Sequence, residues 1–192
     1  MEEIRAFIAI ELPDDIREGL GRLITQLNSN QPDVKWVEPT GIHLTLKFLG
    51  YVASNRIAEI TEAIADAATG IPPFTLEIKG LGAFPNLNRV RVVWVGIEGK
   101  TDNLLQLQKR LDENLDILGF PPEQREFTPH LTLARVRDSA SALERQELGQ
   151  LISAAKAPSI GSFTAKSLSL MRSQLARTGA VYTQLAAVAL VK

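Results

Sequence analysis

The tetrapeptide His-Leu-Thr-Leu stands at 43–46 and again at 130–133, and His43 and His130 are the only histidines in the chain. Imidazole is the side chain that most readily gains and loses a proton near neutral pH. At ordinary residue frequencies the chance that Leu-Thr-Leu follows both of two histidines is roughly one in several thousand. The repeat therefore points to two imidazoles converging on one site. In an extended strand, residues two apart share a face. This expectation puts His43, Thr45 and Lys47 on one side, with Leu44, Leu46 and Phe48 turned toward a core. In the second copy His130 and Thr132 share a face, with Leu131 and Leu133 behind. An imidazole and a hydroxyl from each of two facing strands describe a site for one tetrahedral anion. The rings supply an acid and a base, and the Thr45 and Thr132 hydroxyls donate to oxygens where charge builds. A single strand histidine is more often structural, and threonine is a good strand former in its own right. An old duplication, however, would not selectively keep a solvent-side His–Thr pair while its surroundings drift.

The elements that must position these residues follow from periodicity. Residues 5–10 are short and apolar, as a buried strand is. Pro13-Asp14-Asp15 opens a helix carrying Ile16, Leu20, Leu23, Ile24 and Leu27 at helical spacing, ended near residues 28–30. Residues 42–50 alternate as a strand. Ser54 is placed to cap a second helix, with Ile57, Ile60, Ile64 and Ala68 as its stripe and Gly70 at its end. Residues 74–84 and 89–97 alternate again around the turn-rich Pro85-Asn86-Leu87-Asn88. Thr101 is placed to cap a third helix with Leu104, Leu107, Leu111 and Leu115, ended by Gly119. The second motif strand covers 129–136, a fourth helix about 140–154, and two last strands about 160–171 and 180–190.

A shift of 87 residues carries His43 onto His130 and Phe7-Ile8-Ala9-Ile10-Glu11 onto Trp94-Val95-Gly96-Ile97-Glu98. Each half then reads strand, helix, strand, helix, strand, an internal duplication over about 4–84 and 91–171 with a closing strand at about 180–190. Mixed helices and hairpin-linked strands indicate an α+β fold with two related lobes in a single domain. A pseudo-twofold between the lobes would bring the two histidine strands face to face across a cleft.

The 192 residues carry a net charge of −1 and 45% hydrophobic content. That is enough chain for a substantial core and too little charge for a general polyanion binder. With no cysteine there is neither disulfide nor thiolate metal site, and two histidines alone make a poor zinc site. The acidic N-terminus and its short apolar run do not read as a signal peptide, and no apolar run approaches a membrane span. The expectation is a soluble, cytoplasmic protein without a metal.

His-Leu-Thr-Leu-Lys-Phe-Leu-Gly at 43–50 and Pro-His-Leu-Thr-Leu-Ala-Arg at 129–135 resemble the two signature motifs of the 2H phosphoesterase superfamily. Within it the chain is similar to the RNA 2′,3′-cyclic phosphodiesterases, also called 2′-5′ RNA ligases. Residues 5–10, Trp36, residues 167–173 and Gly179-Ala180-Val181-Tyr182 share in the similarity, although this family often has Pro where Ala180 stands. The resemblance implies a bilobal fold, each lobe with a mostly antiparallel sheet and two helices, and a central cleft. It implies metal-independent opening of RNA 2′,3′-cyclic phosphate ends to 2′-phosphomonoesters; the accompanying expectations are no cofactor, tRNA-derived ends among the substrates, and a monomer. It makes His43 the proton donor and His130 the acceptor. Run backwards with a 5′-hydroxyl nucleophile, the same chemistry joins RNA ends through a 2′-5′ bond.

Arg135 belongs to the family motif. Strict alternation turns it away from the cleft, and only a bend or bulge in the strand would return it to substrate. Tyr182 is a second candidate substrate contact. Arg89 and Arg91 read as exposed solubility charges, Phe7 and Trp94 as core packing with base stacking as the minority reading, and Glu11 and Glu98 as isolated acids. Two other functions stay open: a phosphodiesterase for a small cyclic nucleotide such as ADP-ribose 1″,2″-cyclic phosphate, and a silent RNA-binding module. The intact His and Thr of both motifs count against the latter.

Overall fold

The protein is described by a computed structural model covering every residue except 1, 30, 156–158 and 178. In chain order the elements are β1 (Glu3–Glu11), α1 (Asp14–Leu27), β2 (Val34–Trp36), β3 (His43–Ala53), α2 (Ile57–Ala68), β4 (Phe74–Phe84), β5 (Val92–Gly99), α3 (Thr101–Asp116), β6 (His130–Val136), α4 (Ala142–Ala154), β7 (Gly161–Ala165), β8 (Ser167–Ala176) and β9 (Gly179–Ala189). The fold is α+β, with two antiparallel sheets. A four-stranded sheet has the order β3-β1-β8-β9, and a five-stranded sheet has the order β2-β6-β5-β4-β7.

The helices form where the apolar stripes require. Ile16, Leu20, Leu23, Ile24 and Leu27 of α1 are buried, as are Leu104, Leu107, Leu111 and Leu115 of α3. Each fully buried leucine is worth about 1.5–3 kcal/mol over leaving it in water. Against sequence expectation, α2 and α3 are not capped by Ser54 or Thr101. Ser54 lies in a 3₁₀ turn (Ser54–Arg56) that precedes α2, and Thr101 is already the first helical residue of α3. The side-chain cap is on α4, where Ser141 and Glu144 satisfy each other's backbone N–H in a capping box.

The two halves of the chain exchange elements. α2 and α3 pack on the four-stranded sheet through β9 and β3, whereas α1 and α4 pack on the five-stranded sheet through β7 and β4. The first half thus gives α1 and β4 to the sheet built around the second motif, and the second half returns α3 and β8. The segment read as one strand over 160–171 is two, broken at Lys166. β7 pairs with β4, and β8 pairs with β1 in the other sheet. The three-residue β2 is too short to show periodicity in the sequence; it pairs with β6.

Neither motif strand keeps strict alternation. On β3, Ala9 faces Thr45 and Ile8 faces Lys47, so Leu46 is an extra, bulged residue. On β6, Trp94 faces Thr132 and Val93 faces Ala134, so Leu133 is the bulged residue. After each bulge the faces invert. Lys47, expected beside His43, is instead only 3% exposed. Its ammonium donates to Asp112 of α3 at 2.5 Å and to the Pro121 carbonyl at 2.9 Å. Phe48, expected in the core, lies on the outer face with its ring 6.1 Å from Phe7.

Candidate active site

β3 and β6 are in contact where the two sheets meet, and the Val37 N–H extends the β2–β6 pairing with a hydrogen bond to the Leu133 carbonyl at 2.8 Å. The motif strands therefore border one groove, each with its leucines in the core. Leu44, Leu131 and Leu133 are fully buried and Leu46 nearly so, while His43, Thr45, His130 and Thr132 are half-buried on the opposite face. His43 with Thr45, and His130 with Thr132, thus lie on the face of their own strand away from its buried leucines.

Both imidazoles are tethered to the backbone two residues upstream. His130 Nδ1 lies 2.7 Å from the Thr128 carbonyl, and His43 is bonded to the backbone of Gly41. A carbonyl only accepts, so Nδ1 of His130 carries the hydrogen and Nε2 is left as the proton acceptor in the neutral ring. Both rings are also fixed by aromatic neighbours. His43 stacks on Phe7 at 4.6 Å and meets the edge of Tyr182 at 4.9 Å. His130 meets Phe84 edge-on at 4.9 Å, with Trp94 at 6.4 Å. Trp94 needs Gly82 beneath it, because a Cβ there would sit 2.2 Å from the indole.

Burial pushes the His43 ring down from 6.5 to about 4; the Gly41 backbone bond raises it, the Arg17 guanidinium lowers it and the Glu11 carboxylate raises it. Desolvation dominates because a charged ring loses more hydration on burial than a neutral one. His43 on its own is therefore neutral at physiological pH. An anion bound beside it would favour its charged form.

The bulge at Leu133 resolves the position of Arg135. Ala134 turns into the core, and Arg135 returns to the face of His130 and Thr132, exposed and directly opposite Lys35 of β2. Neither cation has an ion-pair partner among the described residues. Tyr182 is at the His43 ring, whereas Arg89 and Arg91 are exposed at the start of β5. Sequence reasoning missed Ser169 and Gln184, whose hydrogen bonds with Glu11 cross three strands that are far apart in sequence.

Two hollows lie elsewhere. One, about 380 Å³, is lined by Asp33, Val34, Val136 and Leu148, and another, about 430 Å³, by Pro73, Thr75 and Asn103. Among the described residues no three His, Cys, Asp or Glu side chains converge as metal ligands, and no helix is long and apolar enough to cross a membrane.

A family model described as the 2′-5′ RNA ligase superfamily matches residues 12–177. The chain is 37% identical over 183 residues to an RNA 2′,3′-cyclic phosphodiesterase of Methanothermobacter thermautotrophicus, covering 95% of this chain and 97% of that one. It is 35% identical over 179 residues to an RNA 2′,3′-cyclic phosphodiesterase of Methanocaldococcus jannaschii, covering 93% and 96%. Its fold is similar to that of E. coli LigT complexed with 3′-AMP, with a TM-score of 0.80 and 28% identity over the whole of both chains.

Proposed function

The chain belongs to the 2′-5′ RNA ligase superfamily, and we propose that it hydrolyses the 2′,3′-cyclic phosphate at RNA ends to a 2′-phosphomonoester by two-histidine acid–base catalysis. The observation that carries this reading is the duplicate imidazole–hydroxyl pair bordering one seam. Water attacks phosphorus in line with the 3′ oxygen. Nε2 of His130 takes the water proton, while Nδ1 stays committed to Thr128. The P–O3′ bond breaks, and His43 delivers its proton to the leaving 3′ oxygen. The Thr45 and Thr132 hydroxyls donate to the two non-bridging oxygens, where negative charge increases. The 3′-hydroxyl and 2′-phosphomonoester then leave, with the two rings in exchanged protonation states that solvent resets.

Burial of His43 fits the donor role. An imidazolium held in a site that disfavours its charge is a stronger acid than a free one. The anionic phosphate supplies the counter-charge that loads the proton when substrate arrives. Arg135 and Tyr182 are the proposed substrate contacts, Arg135 with Lys35 forming a positive rim for the RNA backbone and Tyr182 bordering the leaving-group side. The similarity to relatives named RNA 2′,3′-cyclic phosphodiesterase favours an RNA end over a small nucleotide as the substrate. The same site run in reverse, with a 5′-hydroxyl in place of water, would form a 2′-5′ linkage. The proposed setting is the cytoplasm, and the proposed form is a monomer working without a metal.

The test is turnover of an oligonucleotide with a 2′,3′-cyclic phosphate end. His43→Ala and His130→Ala should each lose ~10²–10⁴ in rate with unchanged circular dichroism. A substrate whose leaving group needs no proton should rescue His43→Ala and not His130→Ala. Near wild-type turnover in either variant rejects the mechanism, and rescue of His130→Ala alone reverses the roles. Turnover of mononucleotide cyclic phosphates alone moves the protein to the small-nucleotide reading.

A further inference from the structure

The two motifs are nearly identical in sequence, but the strands beside them are not in equivalent register. Glu11 of β1 stands directly opposite His43, whereas Gly96 of β5 stands opposite His130. The spacing of 87 that superposes the motifs therefore misaligns β1 and β5 by two residues. The position of Glu11 in the first lobe is occupied by a residue without a side chain in the second.

Glu11 is held in place. Its Oε2 accepts from the Ser169 hydroxyl at 2.7 Å and from the Gln184 amide at 2.8 Å, and that amide lies 2.8 Å from the Ser169 oxygen. Ser169 is 1% exposed, so β8 anchors the carboxylate from beneath while β9 holds it from the side. Fixing exposed Glu and Gln side chains costs rotamer entropy, which a merely solvated glutamate does not incur. Glu98, the acid that the spacing of 87 places on Glu11, is drawn into an ion pair with Lys79 at 3.4 Å. β4 bulges there at Lys79-Gly80 and presents no hydroxyl corresponding to Ser169.

We propose that Glu11, clamped by Ser169 and Gln184, is a positioning residue that supports the His43 imidazolium, and that this one-sided clamp divides two near-identical motifs into proton donor and acceptor. The proposal rests on the reading of His43 as the donor. A donor must hold its proton before the leaving oxygen needs it. The groups acting on His43 are Glu11 from β1, Arg17 from α1 and Tyr182 from β9, and β6, the strand packed against β3, carries the charged or titratable His130 and Arg135. Among them Glu11 is the carboxylate. It opposes Arg17 and the burial of the ring, and a bound phosphate acts in the same direction as Glu11.

With two histidines, the imidazole signals are two, and each can be titrated by NMR in saturating inorganic phosphate. Glu11→Gln should lower the His43 midpoint by roughly 0.5–1 pH unit, as expected for a partly exposed charge pair, and leave His130 in place. Ser169→Ala and Gln184→Leu, which keep the carboxylate but free it, should move His43 the same way by less. Glu98→Gln should move neither. In the pH–rate profile on the cyclic-ended oligonucleotide, Glu11→Gln should shift the alkaline limb down by the same amount, so kcat falls more above neutrality than below it. A His43 midpoint unmoved in folded Glu11→Gln, or one moved equally by Glu98→Gln, overturns the proposal. If Glu11→Gln moves His43 but wild-type enzyme leaves the cyclic phosphate intact, the clamp stands and the phosphodiesterase reading fails. If wild-type enzyme turns over the cyclic phosphate but Glu11→Gln leaves His43 unmoved, the phosphodiesterase reading stands and the clamp fails.

Discussion

Lowering the pH should destabilise this protein through His43. In the folded state the ring titrates at about 4, in the unfolded chain at 6.5, so the unfolded state binds the proton first. The sign follows directly: stability is highest above about pH 6.5 and is lost as the pH falls toward about 4. A shift of about 2.5 units at 1.36 kcal/mol each is about 3 kcal/mol in full, of which about 2 kcal/mol is lost between about pH 7 and about pH 5. Glu144, held below the usual carboxylate range by the Ser141 hydroxyl and backbone, titrates in a lower window and adds little over this interval. With an m-value of about 2 kcal/mol/M, the urea midpoint should drop by about 1 M. Other groups also titrate, so the decisive comparison is with His43→Gln, which has no ring to protonate. The variant should lose less stability by about 2 kcal/mol over the same interval, measured by urea melts at both pH values. Parallel losses in wild type and variant would refute the argument that desolvation of this ring dominates its titration. Inorganic phosphate should restore part of the loss in wild type alone.

Thr45→Val and Thr132→Val keep the strand shape and remove one donor each, and each should lower kcat ~10²–10³-fold with little change in melting temperature. An unaltered kcat in both makes the threonines strand formers only. Activity should persist in EDTA, and loss on chelation, restored by one divalent ion, would overturn the metal-free reading. Lys35→Gln should leave mononucleotide cyclic phosphate turnover unchanged while reducing the salt slope of kcat/KM on an oligonucleotide by about 0.7, one contact to a single strand; equal slopes remove Lys35 from the RNA path. Lys47→Met should cost about 1–3 kcal/mol in a urea melt, because Asp112 keeps the Gln108 amide at 2.7 Å. Asp112→Leu should cost more, since it strands a buried ammonium, and the reverse ranking would argue against the ion pair.

Much of the architecture is readable in the sequence because it rests on local periodicity. The stripes of α1 and α3, the alternation that buries Leu44 and Leu131, and the pairing of His43 with Thr45 and of His130 with Thr132 on one strand face are all determined within a few residues of themselves. What depends on pairing is not readable in this way. Nothing in Leu-Thr-Leu announces that Leu46 and Leu133 are bulged, so alternation alone puts Lys47 on the wrong face and leaves Arg135 undecided. The exchange of β4 and β8 between sheets leaves no periodic trace, nor does the switch at Lys166. Glu11, an isolated acid in the sequence, acquires Ser169 and Gln184 only once β1, β8 and β9 are side by side.

The exchange of elements bears on the chemistry. In-line displacement requires donor and acceptor on opposite sides of one phosphorus, held to a fraction of an ångström. Two lobes folded separately and joined by a linker would leave that separation to a hinge. Here each sheet contains strands from both halves of the chain and is covered by helices from both, and one hydrophobic cluster runs from Ile8 and Leu44 to Leu131 and Phe163. The relation between His43 and His130 is thereby a property of the core. Displacing one ring from the other means disturbing side chains that are each worth about 1.5–3 kcal/mol buried. The backbone tethers at Gly41 and Thr128 set the rings, the matched bulges turn Phe48 and Arg135 onto the groove face beyond them, and the offset of β1 against β5 leaves Glu11 beside one ring only. On the proposed mechanism, a duplicated motif thus comes to perform two different proton transfers without any change in its own four residues.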